Sequence, residues 1–119
     1  MRTRRAFLGI DIGTTAVKVL LVATDGTVLA NAQTSLQISV LRGGWSEQIP
    51  EDWWQATLMA TRKTLSCAAD AVDVAAIGLS GQMHSAVVLD ENNRVIRPAI
   101  LWNDVRTQEQ CRKIENKVG

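Results

Sequence analysis

The chain holds 119 residues, enough for one compact domain with a buried core and too few for two. Hydrophobic residues make up 46% and charged residues 21%, a globular balance that excludes disorder for the bulk of the chain. Lys and Arg number 13 against 12 Asp and Glu, a formal charge of +1, so nothing electrostatic draws the chain to nucleic acid or a membrane surface.

The basic start, Met1 to Arg5, is like the opening of a secretion signal, but the apolar run from Ala6 stops at Asp11. That is too short for a signal core, and no small-residue cleavage site follows. No stretch approaches the roughly 20 apolar residues of a membrane span. Cys67 and Cys111 lack metal-ligand spacing and read as reduced thiols of a cytoplasmic protein.

Residues 6–12 read as a buried strand ended by a Gly-Thr-Thr turn. Residues 16–24 are apolar and β-branched and read as a second strand. Asp25-Gly26 then signals a hairpin into a third strand at 27–35. Residues 36–49 form a loop. Pro50 suits the first position of a helix, with Glu51 and Asp52 on its positive end, and the helix is placed at about 51–68. Trp54, Leu58, Thr61 and Leu65 fall on one of its faces, the expected buried one. Trp45, Trp53 and Trp54 read as packing residues. Strands follow at 73–80, 84–89 and 94–101, with a polar turn at 91–93. Asn103 or Asp104 is the expected cap of a last helix at about 104–117, with Thr107, Cys111, Ile114 and Val118 as its apolar stripe. There is no internal repeat, low-complexity tract or linker. The order βββαβββα is an α/β plan with a mixed sheet.

Three segments carry chemistry-bearing residues. In Gly9-Ile10-Asp11-Ile12-Gly13-Thr14-Thr15, glycine at a tight turn lets a phosphate approach backbone amides, and the Thr hydroxyls add donors. Asp11 stands at the strand end, where the water shell of a magnesium ion would sit, and Lys18 follows on the next strand. The spacing is not that of a Walker loop. A plain hairpin with an acid near its turn fits the same residues. In Gly78-Leu79-Ser80-Gly81-Gln82-Met83-His84, Gln82 and His84 pair donors with acceptors, as a sugar requires. A surface position at a strand end fits them too. His84, the only histidine, has no partner for a metal site. In Trp102-Asn103-Asp104-Val105-Arg106, an indole face and three polar side chains suit a polyol, and a core Trp followed by a helix cap is the alternative.

Together these segments resemble the FGGY carbohydrate kinases, and the likeness is best with bacterial members that act on xylulose. FLGIDIGTTAVKVLLVATDGTVLA resembles their phosphate-binding hairpin, WSEQIPEDWWQA the entry to their first helix, and IGLSGQMHSAVVLDENNRVIRPAILWNDVRTQEQC their sugar-binding stretch. The hairpin alone is shared with the wider actin, Hsp70 and hexokinase superfamily. Gln82-Met83-His84 with Trp102-Asn103-Asp104 is more specific, and Met83-His84 stands where glycerol kinases carry an Arg-Glu pair. The resemblance implies a ribonuclease H-like mixed sheet with flanking helices, this chain being the N-terminal portion of the first of two kinase domains. It implies transfer of phosphate from ATP, with Mg2+, to a ketose. D-xylulose comes first, with ribulose, gluconate or a non-catalytic sugar- or nucleotide-binding module as alternatives. Asp11 would organise the Mg-ATP end, with Gly13, Thr14, Thr15 and Lys18 toward the phosphates. Gln82, Met83, His84, Trp102, Asn103, Asp104 and Arg106 would line the sugar pocket. The family's catalytic aspartate would lie beyond residue 119, so the isolated chain is expected to be inactive. Its truncated sheet should self-associate by edge pairing or segment exchange through the apolar strands at 16–22 and 73–79.

Overall fold

The computed structural model describes residues 3–119; Met1 and Arg2, part of the basic start, lie outside the described residues. The chain divides into two compact units, one built from the segment ending at Gln37 with Glu51–Gln82, the other from Ile38–Pro50 with Met83–Gly119.

The first unit is a sheet with a helix. Strands β1 (Thr3–Ile12), β2 (Ala16–Ala23) and β3 (Val28–Ser35) form the expected antiparallel meander. The Asp25-Gly26 hairpin is present, its Thr27 amide donating to Asp25 Oδ1 at 2.9 Å. Helix α1 (Pro50–Cys67) then leads to β5 (Ala71–Gly81), which lies parallel to β1 and gives the order β3-β2-β1-β5. β2 is therefore interior, and the open edges are β3 and β5; of the two strands expected to drive edge pairing, only the second is an edge. Gly81 allows β5 to end close against β1, because a Cβ there would stand 3.0 Å from the Ile12 carbonyl oxygen.

Alternation sorts the sheet into two faces. Ala6, Leu8 and Ile10 of β1 and Val17, Val19 and Leu21 of β2 are buried, while Phe7, Gly9, Asp11, Lys18 and Leu20 face the other way and are exposed. The buried set joins Ala30, Leu36, Ala56 and Ala60 in one apolar core. α1 does not bury the face expected of it: Trp54 is 56% and Leu65 40% exposed. Its buried residues are Ala56, Thr57, Ala60 and Thr64. Small side chains let the helix axis approach the sheet, and Thr64 Oγ1, fully buried, satisfies itself on the Ala60 carbonyl at 2.9 Å. Trp53 packs against the core, as expected, whereas Trp54 does not.

The second unit has little regular structure. β4 (Glu47–Gln48), inside the segment expected to be pure loop, pairs antiparallel with β6 (Ala99–Ile100). The strands expected at 84–89 and 94–101 reduce to β6 and the isolated bridges Ala86–Ile100 and Leu89–Val95. Their apolar residues lack the covering layer that would make a ladder worth forming, Val88 being 48% and Ile96 60% exposed. Asp90 organises the turn between them by accepting the Asn92 and Arg94 amides. Helix α2 spans Gln108–Val118, begins after Thr107 with no side-chain cap, and buries none of its residues. Neither Asn103 nor Asp104 caps it, and Cys111, Ile114 and Val118 form no buried stripe. Among the described residues no helix is long and apolar enough to cross a membrane.

Candidate active site

The sheet unit carries a polar row across all four strands. Register places Gln33 of β3 beside Lys18 of β2, Lys18 beside Asp11 of β1, and Asp11 beside Ser80 of β5. These residues lie on the exposed face. Ser80 Oγ donates to Asp11 Oδ1 at 2.7 Å, which fixes the carboxylate while leaving acceptor capacity for another donor. One row along, Gly9 sits between Leu20 and Gly78. Two neighbouring strands thus present no side chain there, and a trough of about 640 Å³ opens beside Asp11, Lys18 and Ser80.

The turn after β1 is tighter than a free anion cradle. The Gly13 amide donates to the Ala16 carbonyl at 3.0 Å, so that donor closes the hairpin. Thr14 Oγ1 donates to Gln82 Oε1 at 3.3 Å, and the Gln82 amide donates to the Ile12 carbonyl at 2.9 Å. Gln82 is therefore tied to the hairpin, within the same unit as Asp11. Thr15 gives its carbonyl to the Leu36 amide at 2.8 Å and remains exposed.

In the second unit, Met83 is 72% exposed and His84 adopts φ 61°. That left-handed conformation costs a non-glycine residue about 1–3 kcal/mol and tends to be kept where a side chain must be aimed. Trp102 is 57% exposed, its amide donating to Ser85 Oγ at 3.2 Å, and Asn103 is exposed beside it.

Asp104 and Arg106 are placed differently. The Asp104 side chain is only 1% exposed. Its Oδ2 accepts the Ser46 amide at 2.7 Å and Arg106 Nη2 at 2.6 Å, and its Oδ1 accepts the Arg106 amide and Nε at 2.9 Å. Arg106 also donates through Nη1 to Glu47 Oε1 at 2.8 Å, and Arg97 Nη2 reaches the same oxygen at 2.6 Å. The Arg106 guanidinium lies 3.8 Å from the Trp45 ring centre. The hydrogen bonds from Arg106 hold the Asp104 carboxyl far below the usual carboxylate range, and those bonds raise the Arg106 pKa further.

Ser80 and Glu47 were absent from the sequence-derived set. Ser80 had a signal: like Asp11, it ends an apolar strand, and a parallel pairing sets the two side by side. Glu47 had none, since its partners lie 50 and 59 residues away. Among the described residues no group of three or more His, Cys, Asp or Glu could hold a metal. Magnesium needs no such group; it keeps most of its waters and commonly takes one or two carboxylates, so Asp11 fits.

The model for the N-terminal domain of the FGGY family of carbohydrate kinases matches residues 6–119. A xylulose kinase of Escherichia coli (strain K12) is 47% identical over 112 residues, covering 94% of this chain and 23% of that protein. One from Bacillus subtilis (strain 168) is 44% identical, with 94% and 23% covered. The crystal structure of xylulose kinase from Rhodospirillum rubrum superimposes with a TM-score of 0.91 at 29% identity, covering 96% of this chain and 24% of that one. The mixed sheet with its crossover helix is thus the beginning of the sugar-kinase fold, and the chain spans about a quarter of such proteins.

Proposed function

The chain belongs to the FGGY family of carbohydrate kinases, and from that premise we propose that the intact protein transfers the γ-phosphoryl group of ATP to a ketose, D-xylulose before ribulose or gluconate. The observation that carries the reading is the row Lys18–Asp11–Ser80 beside a trough in which the paired Gly9 and Gly78 present no side chain. Phosphoryl transfer asks a protein mainly for positioning and charge. Magnesium, when bound, neutralises charge on the transferring group. Asp11, whose carboxylate the Ser80 hydroxyl orients, would hold the ion, and Lys18 on the neighbouring strand would set an ammonium beside the phosphates. Thr14 and Thr15 line the turn. Met83 and His84 contact the ketose, Trp102 offers its apolar face to the sugar C–H groups, and Asn103 takes hydroxyls. The base that accepts the sugar's proton, worth about 10²–10⁴-fold, has no candidate among these residues. The 119-residue chain alone therefore shows no turnover. It self-associates through β5, whose Ile77 and Leu79 are 60% and 75% exposed, and light scattering reads this directly. The location is cytoplasmic.

The test is sugar-dependent ADP release by the intact protein over a panel of xylulose, ribulose, gluconate and glycerol. Xylulose should lead, and Asp11→Asn should lower kcat at least about a hundredfold with the fold intact. Equal turnover of wild type and Asp11→Asn, or no response to any sugar, would end the proposal.

A further inference from the structure

We infer that Asp104 and Arg106 do not touch the sugar but form, with Glu47, a buried ionic clamp that sets the shape of the Trp102–Asn103 turn. They are then positioning residues for the sugar end, an inference that rests on the function proposed above. It departs from the expectation that both line the pocket.

The turn is gripped at both ends by one residue. The Leu101 amide donates to the Ser46 carbonyl at 3.0 Å, and the Ser46 amide donates to Asp104 Oδ2 at 2.7 Å. The Asp104 amide closes the turn on the Leu101 carbonyl at 3.1 Å. Trp102 and Asn103 are the two residues left between these grips, and both are exposed. The neighbour of Ser46 is held equally firmly: Glu47 pairs with Ile100 in the β4–β6 ladder, and its carboxylate joins Arg97 to Arg106.

Saturation argues against direct sugar contact. A carboxylate offers about four lone-pair directions. Those of Asp104 already meet the Ser46 amide, the Arg106 amide and the Arg106 guanidinium. A polyol hydroxyl would have to displace one of these from a side chain that is 1% exposed. The Arg106 fork is divided between two carboxylates, with one face covered by Trp45. Removing one partner leaves a buried charge unpaired, so the clamp should open as a whole. The Ser46 hydroxyl, in contrast, is buried without a partner, so the clamp uses only that residue's backbone.

The experiment compares Glu47→Gln, Asp104→Asn, Arg106→Lys and Ser46→Ala in the intact protein. It measures hydrogen exchange in the segment containing Leu101 to Arg106, and kcat and KM for xylulose. Glu47→Gln keeps size and shape, so loss of folding should not obscure it. It should speed exchange at least about tenfold and raise KM about ten- to a hundredfold, with kcat within about threefold of wild type. Arg106→Lys should do the same, because an ammonium cannot bridge two carboxylates as a fork. Ser46→Ala should change neither. If Asp104→Asn raises KM while Glu47→Gln leaves KM and exchange as they were, Asp104 is a direct ligand and the inference is wrong. Faster exchange with unchanged KM overturns it too, reducing the clamp to scaffold. A wild-type protein inert toward every sugar removes the functional reading, while exchange alone still decides whether the clamp exists.

Discussion

The two units of this chain are held together by different physics. In the sheet unit, Leu21, Val17 and Val19 are at most 2% exposed, and each such side chain contributes about 1.5–3 kcal/mol by leaving water. In the other unit α2 buries nothing, and the best-buried side chains include Glu47 and Asp104, tied to two arginines. Apolar burial is non-directional and needs no particular partner atom. An ionic clamp does, because each buried charge depends on a partner at hydrogen-bond distance. The unit with the looser demand carries the regular ladders, and the unit with the stricter geometry carries the irregular turn on which Trp102 is displayed.

The largest expected effect tests this contrast directly. Leu21→Ala removes a fully buried β2 side chain from the core and should cost about 3 kcal/mol in urea unfolding, as lost transfer energy plus a cavity. Ile114→Ala on α2 deletes an equally large side chain that is 62% exposed, and should stay within about 0.5 kcal/mol. Similar losses at the two sites would erase the distinction between the units.

Gly44→Ala comes next. Gly44 has φ 81°, its carbonyl accepts the Val105 amide at 2.8 Å, and a Cβ would lie 2.6 Å from Val105 Cγ2. Backbone strain alone is worth about 1–3 kcal/mol, and it should appear as faster exchange around Trp45 and Val105 with the β1–β2 amides unaffected. Protection lost uniformly across the chain would mean that the second unit has no stability of its own to lose.

These contrasts also explain what could be read from the residues. The meander, the hairpin at Asp25-Gly26 and the helix after Pro50 were legible because apolar alternation and turn chemistry are local. The buried face of α1 was misread because periodicity weights Trp54 and Leu65, whereas close helix–sheet packing selected Ala56 and Ala60. Valines at 87, 88 and 95 look like strands, but β-propensity has force only where a second layer covers the residue, and these are 40–48% exposed. At the site, Asp11, Lys18 and His84 could be named from their segments. The pairing of Asp104 with Ser46 spans 58 residues and leaves no local trace, so Asp104 looked like a cap or a ligand.

Acid separates the units next. Asp104 is paired to Arg106, with Glu47 and Arg97 the other charges of the clamp, and its folded pKa lies far below an unfolded value near 3.9. A depressed carboxylate pKa contributes stability that is complete above the unfolded value and is lost as pH falls toward the folded one. Exchange in the Leu101–Arg106 segment should therefore be flat from pH 7 to about 5, after correction for intrinsic rates, and rise only in stronger acid. In Asp104→Asn that acid-dependent rise should be gone. Opening that begins near pH 6 would assign the transition to another group.

The smallest effect marks where ionic contacts stop mattering. Glu109 and Lys113 pair at 2.8 Å one turn apart on α2, with side chains 73% and 69% exposed. Solvent screens such a pair, and the ordering of two long side chains offsets much of the attraction. Glu109→Gln should cost about 0.3–0.5 kcal/mol at low salt and nothing measurable at 0.5 M. Glu47→Gln changes the same carboxylate to the same amide at a side chain that is 5% exposed, so its effect should persist at that salt. If both substitutions lost their effects together as salt rose, the buried pairs would be as screened as the surface one, and burial would not be what gives the clamp its grip.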